Sequence, residues 1–160
     1  MPLPILWKQS LLPYSVLKFL NIASAWSTPE KPIGGKFHRN ANHVLQAMTT
    51  NAPGGKQKGL AFQEYSPDYP HVQRTLGYAG RPSGPAFYIS LINNSKNHGP
   101  GSQQKYNPHE ADSNFGKVVE GWDEVVIAKM KKQPGAEGGN SFVRGNENHI
   151  LITNMIIETS

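Results

Sequence analysis

The sequence predicts a mainly β fold, an antiparallel β-barrel with two capping helices. The chain of 160 residues contains 16 glycines and 13 prolines, which divide it into short elements joined by long turns. The apolar segments between these turns are mostly short, as strands are, and two segments have the spacing of an amphipathic helix. Many short strands with two helices favour a barrel capped at its ends over a helical bundle.

The first elements are a helix and two strands. Pro13 can occupy the first turn of a helix, and apolar positions on one face extend that helix to about Ala25. After a loop rich in proline and glycine, Lys36 to Arg39 begins a short strand. A polar turn then leads to a second strand, His43 to Met48.

The second half of the chain contributes further strands and a second helix. The predicted strands are Thr75 to Ala79, Phe87 to Ile92, Phe115 to Val119 and Ile150 to Ile157. The last of them is β-branched on both faces, which predicts burial on both faces. The spacing of Trp122, Val125, Val126 and Met130 predicts a short helix before it. Asn93 to Asn114 is polar and aperiodic, which is typical of a functional or disordered loop.

Composition excludes several classes of function. The chain has no cysteine, so disulfides and zinc–thiolate sites are absent, and its six histidines lack metal-ligand spacing. We therefore expect no cofactor. The net charge is +5, but the basic residues are dispersed. Their one tight group, Lys129 with Lys131 and Lys132, is typical of a solvated helix end, and no nucleic-acid partner is expected.

The compartment stays open between the cytoplasm and the lumen of the secretory pathway. No apolar run reaches the ~18–20 residues of a membrane span. Ala23 to Ala25 has the small residues of a signal-peptidase site, but Lys18 interrupts the apolar stretch before it. The sequence favours a core helix over a signal peptide here.

Seven segments resemble, in collinear order, those of one known family, the cyclophilin-type peptidyl-prolyl cis-trans isomerases. The strongest match is FGKVVEGWDEVVIAKM, Phe115 to Met130. The others are PYSVLKFL from Pro13, GGKFHR ending at Arg39, NAPGGK from Asn51, TLGYA from Thr75, SGPAFYIS from Ser83 and ILITNMII from Ile150. The resemblance implies a cyclophilin-like barrel domain over residues 13–160, with residues 1–12 as an extension or a remnant strand.

The chemistry of such an isomerase needs neither a nucleophile nor a metal. The peptide C–N bond has a rotation barrier of ~18–20 kcal/mol because of its partial double-bond character. A guanidinium beside the prolyl nitrogen stabilises the twisted amide once resonance is broken. The resemblance implies that Arg39 is this catalytic arginine and that Gln46 anchors the substrate backbone. It implies a substrate of proline-containing peptides or proteins.

The remaining site residues follow from the same resemblance. His43, Val44, Ala79, Ala86 and Tyr88 match positions that line the proline pocket of the family. Ala86 replaces the glutamine of the family, and the segment with the tryptophan and histidine of the pocket is replaced by Asn107, Pro108 and Asp112. These departures predict a wider, more polar pocket with weak isomerase activity. The alternative is a non-catalytic module that binds proline peptides on the same fold.

The start of the chain predicts an incomplete barrel. In the family, roughly thirty residues forming a two-stranded hairpin precede the first helix. Here twelve residues precede Pro13, and Pro2 and Pro4 restrict strand pairing, so Ile5 to Gln9 forms one short strand at most. Either the chain is a shortened form of a longer protein or the barrel has an open seam next to Ile150 to Ile157. An open seam predicts self-association.

Overall fold

The computed structural model describes residues 2–7, 10–26, 35–49, 59–80, 84–102, 110–136 and 141–158. Within these ranges the strands are β1 (Ile5–Trp7), β2 (Gly35–Asn40), β3 (Val44–Thr49), β4 (Thr75–Tyr78), β5 (Phe87–Ser90), β6 (Asn114–Val118) and β7 (Ile150–Ile152). The helices are α1 (Pro13–Trp26) and the single turn α2 (Ser95–His98). None of the described helices is long and apolar enough to cross a bilayer.

The seven strands form one antiparallel sheet that curls into a half-barrel, in the order β1-β6-β4-β5-β3-β2-β7. The prediction of a mainly β, barrel-like architecture is confirmed at this level. Closure is not observed, because β1 and β7 form the two edges of the sheet and do not pair with each other. The space between these edges is called the open seam below.

Helix α1 begins at Pro13, as predicted, and its apolar face covers the inner face of the sheet. The Glu64 carboxylate accepts hydrogen bonds from the amides of Tyr14 (3.2 Å) and Ser15 (2.7 Å), which stabilises the first turn of the helix. Phe19 is buried and packs edge-on against Phe87 of β5, with ring centroids 5.1 Å apart. The predicted core helix is confirmed.

The core lies between α1 and the inner face of the sheet. Its alternate strand residues include Leu45 and Ala47 of β3, Leu76 and Tyr78 of β4, Phe87 and Ile89 of β5, and Phe115 of β6. Phe87 and Trp122 are both buried in this cluster. Because strand residues alternate between faces, the residues between these point to the outer face of the sheet.

The predicted second helix has a different form. Residues Trp122–Ile127 make a π-helical turn, and Met130–Lys132 follow as a turn of 3-10 helix. The amide of Val126 donates to the Gly121 carbonyl, five residues earlier, at 3.2 Å. The apolar stripe on this segment is buried as predicted, and the wider turn allows Trp122, Val125 and Val126 all to face the core.

The predicted long, doubly buried final strand is wrong. Only Ile150–Ile152 forms a strand, and the side chains of Leu151 and Ile156 are 62% and 73% exposed. The reason is that β7 is an edge strand, with β2 as its one neighbour among the described residues. β-branched residues therefore continue beyond the end of the sheet without a second layer to cover them.

Candidate functional site

A β-bulge in β2 determines where Arg39 points. Phe37 pairs with Ala47 and faces the core, but the register shifts so that Arg39, not His38, pairs with Gln46. Without the extra residue, Arg39 would lie on the same face as Phe37. The bulge instead places Arg39 on the outer face, where its Nη1 donates a hydrogen bond to Gln46 Oε1 at 3.3 Å.

The cross-strand register continues this line of residues over the outer face. Gln46 pairs with Tyr88 on β5, and Tyr88 pairs with Gly77 on β4. A Cβ atom at Gly77 would lie 2.5 Å from the Tyr88 hydroxyl oxygen. Glycine is therefore required here for the Tyr88 ring to lie flat across β4, where the ring is 1% exposed.

Four of the five predicted pocket residues, including Tyr88 itself, lie close together. A small apolar cluster, separate from the main core, contains Ala41, Val44 and Tyr88, with Ala79 packed against it. Ala86 lies beside this cluster, because its carbonyl accepts a hydrogen bond from the Ala79 amide at 2.8 Å. We call the surface above this cluster, bounded by Arg39 and Gln46, the outer groove.

His43, the other predicted pocket residue, lies at the rim. Its half-buried ring stacks on His98 of α2, with centroids 5.6 Å apart. His98 in turn stacks on Tyr88 at 4.6 Å. The two histidine rings thus lie along one side of the outer groove, stacked over Tyr88.

A polar network beneath Tyr88 was not anticipated from the sequence. His71 is fully buried, and its Nε2 donates to the Asp112 backbone carbonyl at 2.9 Å, since that oxygen can only accept. In the neutral ring Nδ1 is then an acceptor, and the Tyr88 hydroxyl donates to it at 3.1 Å. His71 thereby fixes the position of the Tyr88 ring.

Asp112 connects this network to α2. Its Oδ2 accepts a hydrogen bond from His98 Nδ1 at 2.7 Å, and the carboxylate is almost fully buried. His98 Nε2 is also buried and has no hydrogen-bond partner within the ranges that the structure describes. Asp112 lies in the segment that differs from the cyclophilin pattern. Asn107 and Pro108, from the same segment, lie outside the described residues.

The structure revises the description of the loop from Asn93 to Asn114. Ser95–His98 is helical, and the residues from Ala111 to Asn114 are buried against the sheet. The sequence carried one signal for this site, the unusual length of the loop. His71 and His98 are far apart in the chain and have no periodic relation, so only the fold brings them together.

Basic side chains lie near His43. Burial lowers the pKa of His43, and the neighbouring His98, Arg39 and Lys131 lower it further. The ammonium of Lys131 is half-buried and donates to Asn40 Oδ1 at 3.3 Å and to the Ala41 carbonyl at 3.0 Å. Lys129 and Lys132 are exposed, as expected for a solvated helix end, whereas Lys131 turns back over the end of β2.

The described residues provide no metal site. No three histidine, aspartate or glutamate side chains among them are grouped as ligands to one ion. The polar atoms of the His71, His98 and Asp112 cluster are mostly directed at one another, which favours a structural role beneath the groove.

Comparison with models of known protein families and with curated proteins gives no match to this chain. The relation to cyclophilins therefore stays a prediction based on the segments quoted above.

We expect Tyr88→Phe to lower the free energy of unfolding by about 1–3 kcal/mol, because it removes the buried hydrogen bond between the Tyr88 hydroxyl and His71 Nδ1. Urea denaturation measures this change. Tyr14→Phe is the matched control, since the Tyr14 side chain is 59% exposed. Equal losses in the two variants would contradict the role assigned to the Tyr88 hydroxyl.

Proposed function

We propose that this chain is a cyclophilin-type peptidyl-prolyl cis-trans isomerase of low activity, acting on proline-containing peptides or proteins. One observation carries the proposal: Arg39 and Gln46 are hydrogen-bonded to each other at the border of the apolar cluster around Tyr88. A permanent cation, a backbone-binding amide and an apolar surface are the three groups that this reaction requires.

Each group has a defined part in the mechanism. The Gln46 oxygen orients the guanidinium by accepting from Nη1, and the amide nitrogen of Gln46 can donate to a substrate carbonyl. The planar fork of Arg39 can then direct an N–H toward the prolyl nitrogen. That hydrogen bond strengthens as the amide twists and its lone pair localises, which is differential stabilisation of the transition state.

Low activity follows from the shape of the groove floor. The Val44 and Tyr88 side chains are each only 1% exposed, and the stacked His43 and His98 rings lie beside them. A proline ring in this groove gains less apolar contact than it would in a deep pocket. We therefore expect weak substrate binding.

A second candidate function is a non-catalytic module that binds proline peptides. It is favoured by Ala86, which offers no side-chain amide where the family has a glutamine. It is also favoured by the network of His71, Tyr88 and Asp112, whose polar atoms bond to one another beneath the surface. In this alternative the outer groove binds proline peptides but does not accelerate their isomerisation.

Isomerisation of Ala-Ala-Pro-Phe peptides in a protease-coupled assay tests the proposed activity. We expect the chain to exceed the uncatalysed rate, and Arg39→Ala to reduce kcat/KM by about ten- to a hundredfold. Arg39→Lys retains the charge but loses the fork, so it restores only part of the activity. Arg144→Ala, at an exposed arginine, is the control and leaves the rate unchanged.

Two outcomes decide between the candidates. A wild-type chain that binds the peptide without accelerating isomerisation identifies the non-catalytic module. Activity that is equal in wild type and Arg39→Ala rules out catalysis by this site.

We also propose self-association through the open seam. β7 and β1 are edge strands, and the exposed Leu151 and Leu6 side chains (62% and 52%) lie on them. An edge strand with exposed apolar residues is a template for pairing with another chain. A second copy of the same domain presents the same two edges.

Sedimentation velocity over a range of protein concentrations tests this association. We expect the dimer fraction to increase with concentration and to decrease in Leu151→Lys, which places a charge on the edge strand. Leu17→Lys is the control, because Leu17 is similarly exposed (57%) but lies on α1. A monomer at every concentration would show that the seam does not recruit a second copy.

A further inference from the structure

A row of cross-strand partners crosses the outer face of the sheet and ends at an exposed aromatic ring. Arg39 pairs with Gln46 of β3 on one side and with Phe142 on the other, where the two residues form an isolated antiparallel bridge. Gln46 pairs in turn with Tyr88 of β5. Directly paired residues of antiparallel strands place their side chains on the same face, with Cβ atoms about 4.5–5.5 Å apart. Phe142 therefore lies on the outer face, beside Arg39 and on the opposite side of it from Gln46.

Phe142 is the exposed apolar side chain of this row. It is 49% exposed, whereas Tyr88 and Val44 are each 1% exposed. The guanidinium carbon of Arg39 lies 5.9 Å from the centroid of the Phe142 ring. A ligand group that lies beside the guanidinium can thus contact this ring as well, while the buried Tyr88 and Val44 side chains offer it little apolar area.

Phe142 is held in place by its backbone and by His38. The Ser141 carbonyl accepts a hydrogen bond from the Asn40 amide at 2.9 Å, and the Val143 amide donates to the His38 carbonyl at 2.8 Å. The Phe142 ring also stacks on the His38 ring, with centroids 5.8 Å apart and planes inclined by 18°. A side chain that is already ordered loses less conformational entropy when a ligand binds to it. The exposed ring is therefore pre-organised for contact.

We propose that Phe142 is a substrate-binding residue of the outer groove and that its ring packs against the proline ring of the bound peptide. This inference rests on the proposed peptide-binding function and adds to it a residue that the cyclophilin resemblance does not assign. Proline-rich segments dock on exposed aromatic side chains in several classes of peptide-binding domain. Because the Phe142 ring borders the Arg39 guanidinium, a proline whose nitrogen lies beside Arg39 has its ring carbons within reach of Phe142.

Fluorescence anisotropy with two matched pairs of labelled tetrapeptides tests the assignment. One pair is Ala-Ala-Pro-Ala with Ala-Ala-Ala-Ala, and the other is Ala-Ala-Pro-Phe with Ala-Ala-Ala-Phe. We expect Phe142→Ala to weaken the binding of both proline peptides by about three- to tenfold, since it removes the aromatic contact with the proline ring. The preference for proline over alanine should fall by the same factor. Phe142→Tyr retains the aromatic face and should bind as wild type does.

Phe62→Ala is the matched control. Phe62 is 48% exposed and packs on Tyr14 of α1, with ring centroids 5.3 Å apart. The variant therefore loses an equally exposed aromatic ring beside the helix that covers the inner face of the sheet. It should bind both proline peptides as wild type does.

A second measurement leaves Phe142 in place and does not depend on the folding of Phe142→Ala. Fluorine NMR is recorded on the chain labelled with 4-fluorophenylalanine, in which Phe142→Tyr and Phe62→Tyr assign the two signals. We expect a saturable shift of the Phe142 signal on titration with Ala-Ala-Pro-Ala, and no shift of the Phe62 signal. A Phe142 signal that stays constant while the peptide binds would overturn the assignment.

The possible failures are distinguishable. If wild type prefers the proline peptides and Phe142→Ala binds them equally tightly, the assignment of Phe142 is wrong and the proposed function stands. A loss confined to Ala-Ala-Pro-Phe shows contact with the residue after proline, which also overturns the assignment to the proline ring. If wild type binds no proline peptide at millimolar concentration, the proposed function fails and the assignment fails with it.

Discussion

The site depends on the bulge between Phe37 and Arg39 in β2. On its core side Phe37 packs in the main cluster, and on its outer side Arg39 pairs with Gln46. A regular strand could not place Phe37 in the core and Arg39 on the outer face, because side chains two residues apart point to the same face of a sheet. The extra residue therefore lets one short strand serve the core and the groove together. Ser141 supports the strand here by accepting a hydrogen bond from the Asn40 amide at 2.9 Å.

The site also depends on the position of Tyr88, whose ring is covered on both sides. Gly77 lies under the ring and His98 stacks on it, while the hydroxyl bonds to His71. The same ring thus packs in the apolar cluster beneath the outer groove and anchors the polar network. Because the ring is buried on both sides, it leaves little apolar area for a proline ring to contact. This explains why we assign low activity to a site that retains the arginine and the glutamine.

Local patterns predicted the elements with a strong signal. The helix from Pro13 has an apolar face and a favourable first residue, and the strands of the central sheet alternate clearly. The local patterns gave the wrong structure where the form of a segment depends on which other elements pack beside it. Ile150 to Ile157 has the composition of a central strand, but its place at the edge of the sheet leaves Ile156 exposed. The stripe beginning at Trp122 predicted burial correctly but not the π-helical turn.

The residues of the candidate site fall into two groups: those that the sequence identified, and those that only the fold brings together. The segments quoted for the cyclophilin resemblance predicted Arg39, Gln46, Ala79 and Tyr88 in one pocket. In the fold Gln46 pairs with both Arg39 and Tyr88, and Ala79 packs against the cluster that contains Tyr88. His71, His98, Asp112 and Lys131 could not be assigned with them, because their contacts span from 14 to 91 residues of sequence. Such contacts carry no periodic signal, and a resemblance says nothing about positions where the family pattern is replaced.

Two-dimensional ¹H–¹⁵N NMR during titration with an Ala-Ala-Pro-Phe peptide tests the central claim, that the outer groove at Arg39 binds proline segments. The account predicts saturable shift changes at the amides of Arg39, Gln46, Ala79 and Tyr88, with little change at β7. Shift changes confined to the open seam, or none at millimolar peptide, would contradict it.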